Sequence, residues 1–150
     1  HIEAIGYSLY LKMLEDEINK LLNQDSAKLD KIDLKLSVSA FLNQEFIRED
    51  RLRLEIYRRL SKCKEVAEVY EIQSELEDRF GKIDTFTKQF LDLIIIKILA
   101  LKAGIKTISN SEQNILIIKN DDEKIRLKSR SKDDDDVLAE ILVYLRKDKK

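Results

Sequence analysis

Five charged side chains between residues 68 and 79 are the first candidates for chemistry. Glu68, Glu71, Glu75, Asp78 and Arg79 recur at short steps, and at ~100° per residue they fall together on one side of a helix. Val66, Val69, Tyr70, Leu76 and Phe80 take the opposite side at 3.6-residue spacing. Gly81 then ends the helix, because glycine adopts the positive φ that a helix stop requires. A charged ladder beside a fixed helix end suits docking to another protein, with no bond made or broken. The plainer reading is a solvated helix face.

Catalytic constellations are excluded mainly by what the chain lacks. The one histidine is His1, so a histidine-based triad has no base. One cysteine and one histidine cannot build a usual structural zinc site, and the reading is no metal. Three glycines, Gly6, Gly81 and Gly104, are too scattered for either phosphate-cradling loop, so no cofactor is expected in this segment. Asp133–Asp136 can suggest a cation site. It reads better as a helix start, where carboxylates complement the macrodipole, and it lacks the alternation of a calcium loop. Cys63 lies between Lys62 and Lys64, which can lower a thiol pKa, but an ordinary thiol at a helix–helix turn is the simpler assignment. Arg48, Arg51, Arg58, Arg59 and Lys62 form a basic stripe able to meet phosphates or a second docking partner. Glu49, Asp50 and Glu55 dilute it, with Glu55 placed to pair with Arg51, Arg58 or Arg59, and no aromatics interleave to stack bases. Tyr7, Tyr10 and Phe90 read as core.

The elements that must position these groups follow from periodicity. Tyr7 to Leu22 has a helical pattern, broken by the polar residues 23–26. Ile32, Leu34, Leu36 and Val38 alternate as a half-buried strand, and Phe41, Leu42, Phe46 and Ile47 lie in an irregular connector. A helix from about Glu49 to Ser61 turns Leu52, Ile56, Tyr57 and Leu60 inward. After the charged helix, another starts at the N-cap Asp84 and ends before Gly104. Its apolar residues, from Phe86 through Leu101, lie nearly all round, so it is the buried central helix. Strands at Ile105–Ile108, Ile115–Lys119 and Lys124–Lys128, joined by polar links, predict antiparallel hairpins. Val137, Leu138, Ile141, Leu142 and Leu145 make one stripe of a last helix. The expected class is α+β: a helix-rich single domain with a small, mainly antiparallel sheet.

At 150 residues the chain fits one domain, and 38% charged with 43% hydrophobic residues fits a packed, helix-rich protein. The net charge of −1, from 28 basic and 29 acidic residues, does not advertise nucleic acid. The longest apolar run, Leu93–Ile96, is far short of the ~20 residues of a membrane span, and residues 1–20 carry no signal-peptide pattern. The expected location is cytoplasmic. The chain enters a helical pattern almost at once and without an initiating Met, which reads as a piece of a longer protein.

Three segments carry a family resemblance. They are His1-Ile2-Glu3-Ala4-Ile5-Gly6-Tyr7-Ser8-Leu9-Tyr10 through Leu14-Glu15, Arg51-Leu52-Arg53-Leu54-Glu55-Ile56-Tyr57-Arg58-Arg59-Leu60, and Glu75-Leu76-Glu77-Asp78-Arg79-Phe80-Gly81. In order and spacing the chain resembles the C-terminal domain of bacterial transcription-repair coupling factors, the Mfd family, from residue 1 to about 105. It departs from that family in having no proline. The resemblance implies a non-catalytic regulatory domain, with 1–23 leaving a motor region and 24–150 forming its body. The full-length family member is an ATP- and Mg-dependent DNA translocase that couples transcription to nucleotide excision repair. Its C-terminal domain packs on the UvrA-binding module and masks it until RNA polymerase is engaged, which makes UvrA and the polymerase indirect partners. By motif, Glu75, Asp78 and Arg79, with Glu71 beside them, are the docking contacts. The alternative is an accessory nucleic-acid-binding domain that uses Arg51, Arg58 and Arg59.

Overall fold

The computed structural model describes residues 32–147. The helix expected over residues 7–22, and with it the 1–23 segment, lies outside the described residues. Eight elements follow in chain order: β1 (Asp33–Lys35), α1 (Asp50–Ser61), α2 (Val66–Phe80), α3 (Thr85–Lys102), β2 (Ile105–Ser111), β3 (Asn114–Lys119), β4 (Lys124–Lys128) and α4 (Asp134–Lys147). The sheet runs β1-β2-β3-β4, with β1 parallel to β2 and the other pairings antiparallel. The architecture is the expected α+β single domain with a mainly antiparallel sheet.

Helix α3 forms the core. Leu91, Ile95, Ile96 and Ala100 are fully enclosed, and burying each large aliphatic side chain contributes roughly 1.5–3 kcal/mol. Helices α2 and α4 and strand β2 pack on it, and α4 also touches β4. The inner face of the sheet adds Ile105, Ile108, Ile115 and Ile117, while α4 adds all five residues of its expected stripe. Asp84 caps α3 by accepting from the N–H groups of Phe86 and Thr87 at 3.1 and 3.2 Å. At the other end Gly104, at φ 73°, turns the chain into β2, and its carbonyl accepts from Asn120 N–H at 2.8 Å.

The first strand is shorter than the alternation from Ile32 to Val38 predicts. The alternating burial continues to residue 40, yet ladder pairing stops at Lys35. Beyond it the backbone donors go to side chains. Ser37 N–H donates to Asn110 Oδ1 and Ser39 N–H to Asp134 Oδ2, each at 2.8 Å. Leu42 N–H donates to the Tyr57 hydroxyl at 2.8 Å, and the Gln89 amide donates to the Ser39 carbonyl. Residues 36–43 are thus an extended strap, fastened across the domain by side chains from α1, α3, β2 and α4. Strand β2, in turn, runs past Ile108 to Ser111, closing a two-residue hairpin loop in which Glu112 takes φ 54°.

Two aromatic assignments change. Tyr70 is 42% exposed rather than on the apolar side, and its hydroxyl accepts from Arg146 Nη2 at 2.8 Å. Ile72 is buried in its helix instead, because four residues from Val66 overshoot a full turn by ~40° and carry Tyr70 to the edge of the stripe. Phe86 is 40% exposed and stacks on Phe41 with centroids 4.7 Å apart.

Arg53 is the unexpected core residue, 3% exposed, on the same line of α1 as Ile56 and Leu60. Its guanidinium donates to the Ile47 carbonyl at 2.8 Å, to the Arg48 carbonyl at 3.3 Å and to Asp50. It thereby satisfies the buried end of the connector that enters α1. Replacing Arg53 by Met leaves those carbonyls without a donor, and urea unfolding is expected to show a loss of about 2–4 kcal/mol. Arg51→Met on the exposed side is expected to stay within ~0.5 kcal/mol. Equal effects of the two substitutions would remove this role for Arg53.

Candidate docking surface

Helix α2 presents the charged ladder, and its start shows how the ladder divides. Glu65 and Glu68 form a capping box, in which the Glu68 carboxylate accepts from the N–H groups of Lys64 and Glu65 at 3.0 and 2.9 Å. Those bonds hold Glu68 below its ordinary pKa. Its task is to start the helix, and the surface available for contact begins one turn later.

Glu75 is the hub of that surface. Arg59, reaching over from α1, grips it with both guanidinium nitrogens, Nη1 to Oε2 at 2.6 Å and Nη2 to Oε1 at 3.0 Å. Arg79, one turn along α2, adds a longer contact of 3.4 Å to Oε2 and lays its guanidinium 5.1 Å from the centre of the Phe80 ring. The Arg59 bond, with Arg79 behind it, holds the Glu75 carboxyl below the usual glutamate range, and the same bond raises Arg59. Glu55 adds attraction to Arg59, but the fork of that arginine is spent on Glu75, across helices rather than within α1. A bidentate fork of this kind links α1 to α2 with a defined side-chain geometry.

Asp78, Arg79 and Glu71 are exposed on α2, and Glu75 is half-buried among them. The carboxylates of Glu71 and Asp78 make no hydrogen bond or ion pair with any described residue. The four predicted docking residues therefore share one helix face: Glu75 braced to α1, Arg79 tethered to Glu75, and Glu71 and Asp78 open to solvent. Of the basic stripe, Arg51 and Arg58 are exposed on α1 and Arg59 is held by Glu75. Arg53 belongs to the interior, as its i, i+3, i+7 spacing with Ile56 and Leu60 could have shown.

Two further candidates resolve into structural roles. Burial pushes the Cys63 thiol up to about 11, with Glu68 adding to the rise, so its lysine neighbours do not make it reactive. Asp133, Asp135 and Asp136 bring carboxylate oxygens within 4.8 Å of one another at the start of α4. There Asp136 accepts from the Ser131 hydroxyl at 2.6 Å, and Asp134 holds the strap at Ser39. Among the described residues, no helix is long and apolar enough to cross a membrane.

Helices packed around a buried central helix and backed by a four-stranded sheet, with a charged helix face at the surface, define an α+β domain. Residues 36–129 match the model of the TRCF domain, and the chain belongs to that family, the domain family of transcription-repair coupling factors. The match runs through β4, well beyond residue 105, where the motif resemblance ends. Transcription-repair-coupling factors from two strains of Helicobacter pylori are 50% and 49% identical over 97% of this chain. That of Staphylococcus epidermidis is 31% identical over 78% of it. The chain spans only 15%, 14% and 10% of those proteins' lengths. A crystal structure of a C-terminal domain of transcription-repair coupling factor superposes with a TM-score of 0.58 at 16% identity, over 79% of this chain and 97% of that one. That likeness speaks for the fold.

The hub makes a titration prediction. A carboxylate whose pKa is depressed by folding stabilises the protein above its unfolded pKa, and loses that contribution as pH falls through the folded value. In Arg59→Gln, carbon-detected NMR is expected to show the Glu75 carboxyl titrating at higher pH than in the parent, with only about 0–1 kcal/mol of stability lost. An unmoved Glu75 titration would mean that the Arg59 bridge does not form in solution.

Proposed function

We propose that this chain is a non-catalytic, autoinhibitory docking domain of a transcription-repair coupling factor. In this reading it packs on the UvrA-binding module of its own protein and masks it until RNA polymerase is engaged, while the ATP-driven motor lies elsewhere in the longer chain. The observation that carries the reading is the split character of the α2 face. Glu75 is braced by Arg59, whereas Asp78 and Glu71 are exposed next to it with no ion pair to any described residue, and Arg79 is only loosely tethered. A reversible mask needs groups that are positioned in advance but not already satisfied. Exposed ion pairs contribute only ~0–1 kcal/mol each, so several together hold a closed form that a competing partner can release.

The bridge adds a role for Glu75 that differs from those of its neighbours. With both oxygens occupied by Arg59, it orients Arg79 more than it offers a free charge. The test mixes this chain with the separately produced UvrA-binding module and measures affinity by calorimetry at two salt concentrations. Binding is expected to weaken steeply with salt. Asp78→Ala/Arg79→Ala is expected to weaken it at least tenfold, with an unchanged melting temperature. Undiminished binding by a folded double variant would overturn the assignment of this face.

A further inference from the structure

The outward side of the sheet carries a second charged surface, unrelated to α2. Residues paired across a sheet share a face, so the pairings place Lys35, Ser109, Leu116 and Arg126 in one row on the side opposite the buried Ile108 and Ile117. Flanking rows bring Asp33, Thr107, Ile118 and Lys124 on one side and Ser111, Asn114 and Lys128 on the other, and Asp33 pairs with Lys35 at 3.5 Å. Lys124, Arg126 and Lys128 stand exposed along the edge strand β4 at every second position, about 6.8 Å apart. Arg130 and Lys132, also exposed, continue the alternation past the end of the strand.

Arg126, Lys128, Arg130 and Lys132 form no ion pair with any described residue. The nearby acids are engaged elsewhere, Asp122 with Lys106 and Glu123 with Lys119 at 3.8 Å. The hydroxyls of Thr107 and Ser109 and the amide of Asn114 are likewise without a described partner, and Ser109, Asn114 and Arg126 line an open groove of about 360 Å³.

We propose that this face binds the phosphate backbone of duplex DNA. A file of cations with free hydroxyl and amide donors beside it is the equipment for phosphate oxygens. Duplex DNA presents a phosphate every ~3.4 Å along each strand, so every cation of the file has phosphates within a Debye length. No aromatic ring stands in these rows, which leaves the face without stacking platforms for single strands and without the aromatic anchors typical of protein interfaces. The net charge of −1 conceals the patch, because acids concentrated on α2 and at the start of α4 cancel it in the sum.

The experiment is fluorescence anisotropy of a labelled duplex titrated with this chain. Engagement of three to four phosphates gives a log–log salt slope near −3, so affinity is expected to fall roughly 60-fold between 50 and 200 mM salt. Arg126→Gln/Lys128→Gln is expected to reduce the slope by about 2 and the affinity at 50 mM salt at least tenfold. Circular dichroism should report an unchanged fold, and Arg51→Gln on α1 should leave binding intact. No binding at 50 mM salt, undiminished binding by the double variant, or tighter binding of poly-glutamate than of the duplex would each overturn the proposal. Because the sheet face and the α2 face are separate, neither proposal's failure touches the other.

Discussion

A helix that is apolar on almost every side has to be covered on every side, and most of this domain is the consequence of that need. The eighteen residues of α3 bury ten side chains. No single neighbouring element can cover them. Helix α2, helix α4 and strand β2 take most of the surface. Along its N-terminal part the cover is the strap of residues 36–43, an irregular segment that buries Leu42 and packs Leu36, Val38 and Ala40 against the core.

Irregular backbone beside a core creates a second demand, because each buried N–H and C=O needs a partner. The domain meets it with polar side chains held at the core's edge. Thr87 is fully buried, donates to Asp84 at 2.5 Å and accepts from Asn43 N–H at 3.3 Å. Burial alone would raise the Asp84 pKa. The hydrogen bonds from Thr87 and Asn43 outweigh that and keep it ionised below the ordinary aspartate range, so one carboxylate caps α3 and fastens the strap together. Arg53 does the same work at the entrance to α1.

The charged face of α2 inherits its order from this frame. Leu76 and Val69 are fully enclosed and set the rotation of the helix, which turns Glu71, Asp78 and Arg79 outward. Arg59 then ties Glu75 to the neighbouring helix, so the face is stiff at its centre and free at its margins. The sheet shows the same division: its inner isoleucines are packed, and on its outer side Lys35 pairs with Asp33 while Arg126 and Lys128 form no ion pair with any described residue.

Much of this was legible in the amino-acid order, for a plain reason. Helical and strand periods report which side of an element is apolar, and burial of that side dominates folding. The stripe of α4, the near-continuous apolar surface of α3, the cap at Asp84 and the stop at Gly81 are all local signals. The shared face of Glu71, Glu75, Asp78 and Arg79 is also a local property, since it follows from residues within three turns. What spacing cannot report is pairing between residues distant in sequence. Arg59 with Glu75, Ser39 with Asp134 and Tyr70 with Arg146 are 16, 95 and 76 positions apart, and only the packing of whole elements brings them together. The strap ended β1 early because side chains from other elements captured its donors, and the cations of β4 line one surface because the sheet's register put them there. Local chemistry determined the elements and their faces; the competition among elements to cover one helix decided which charges were used up inside the domain and which were left for a partner.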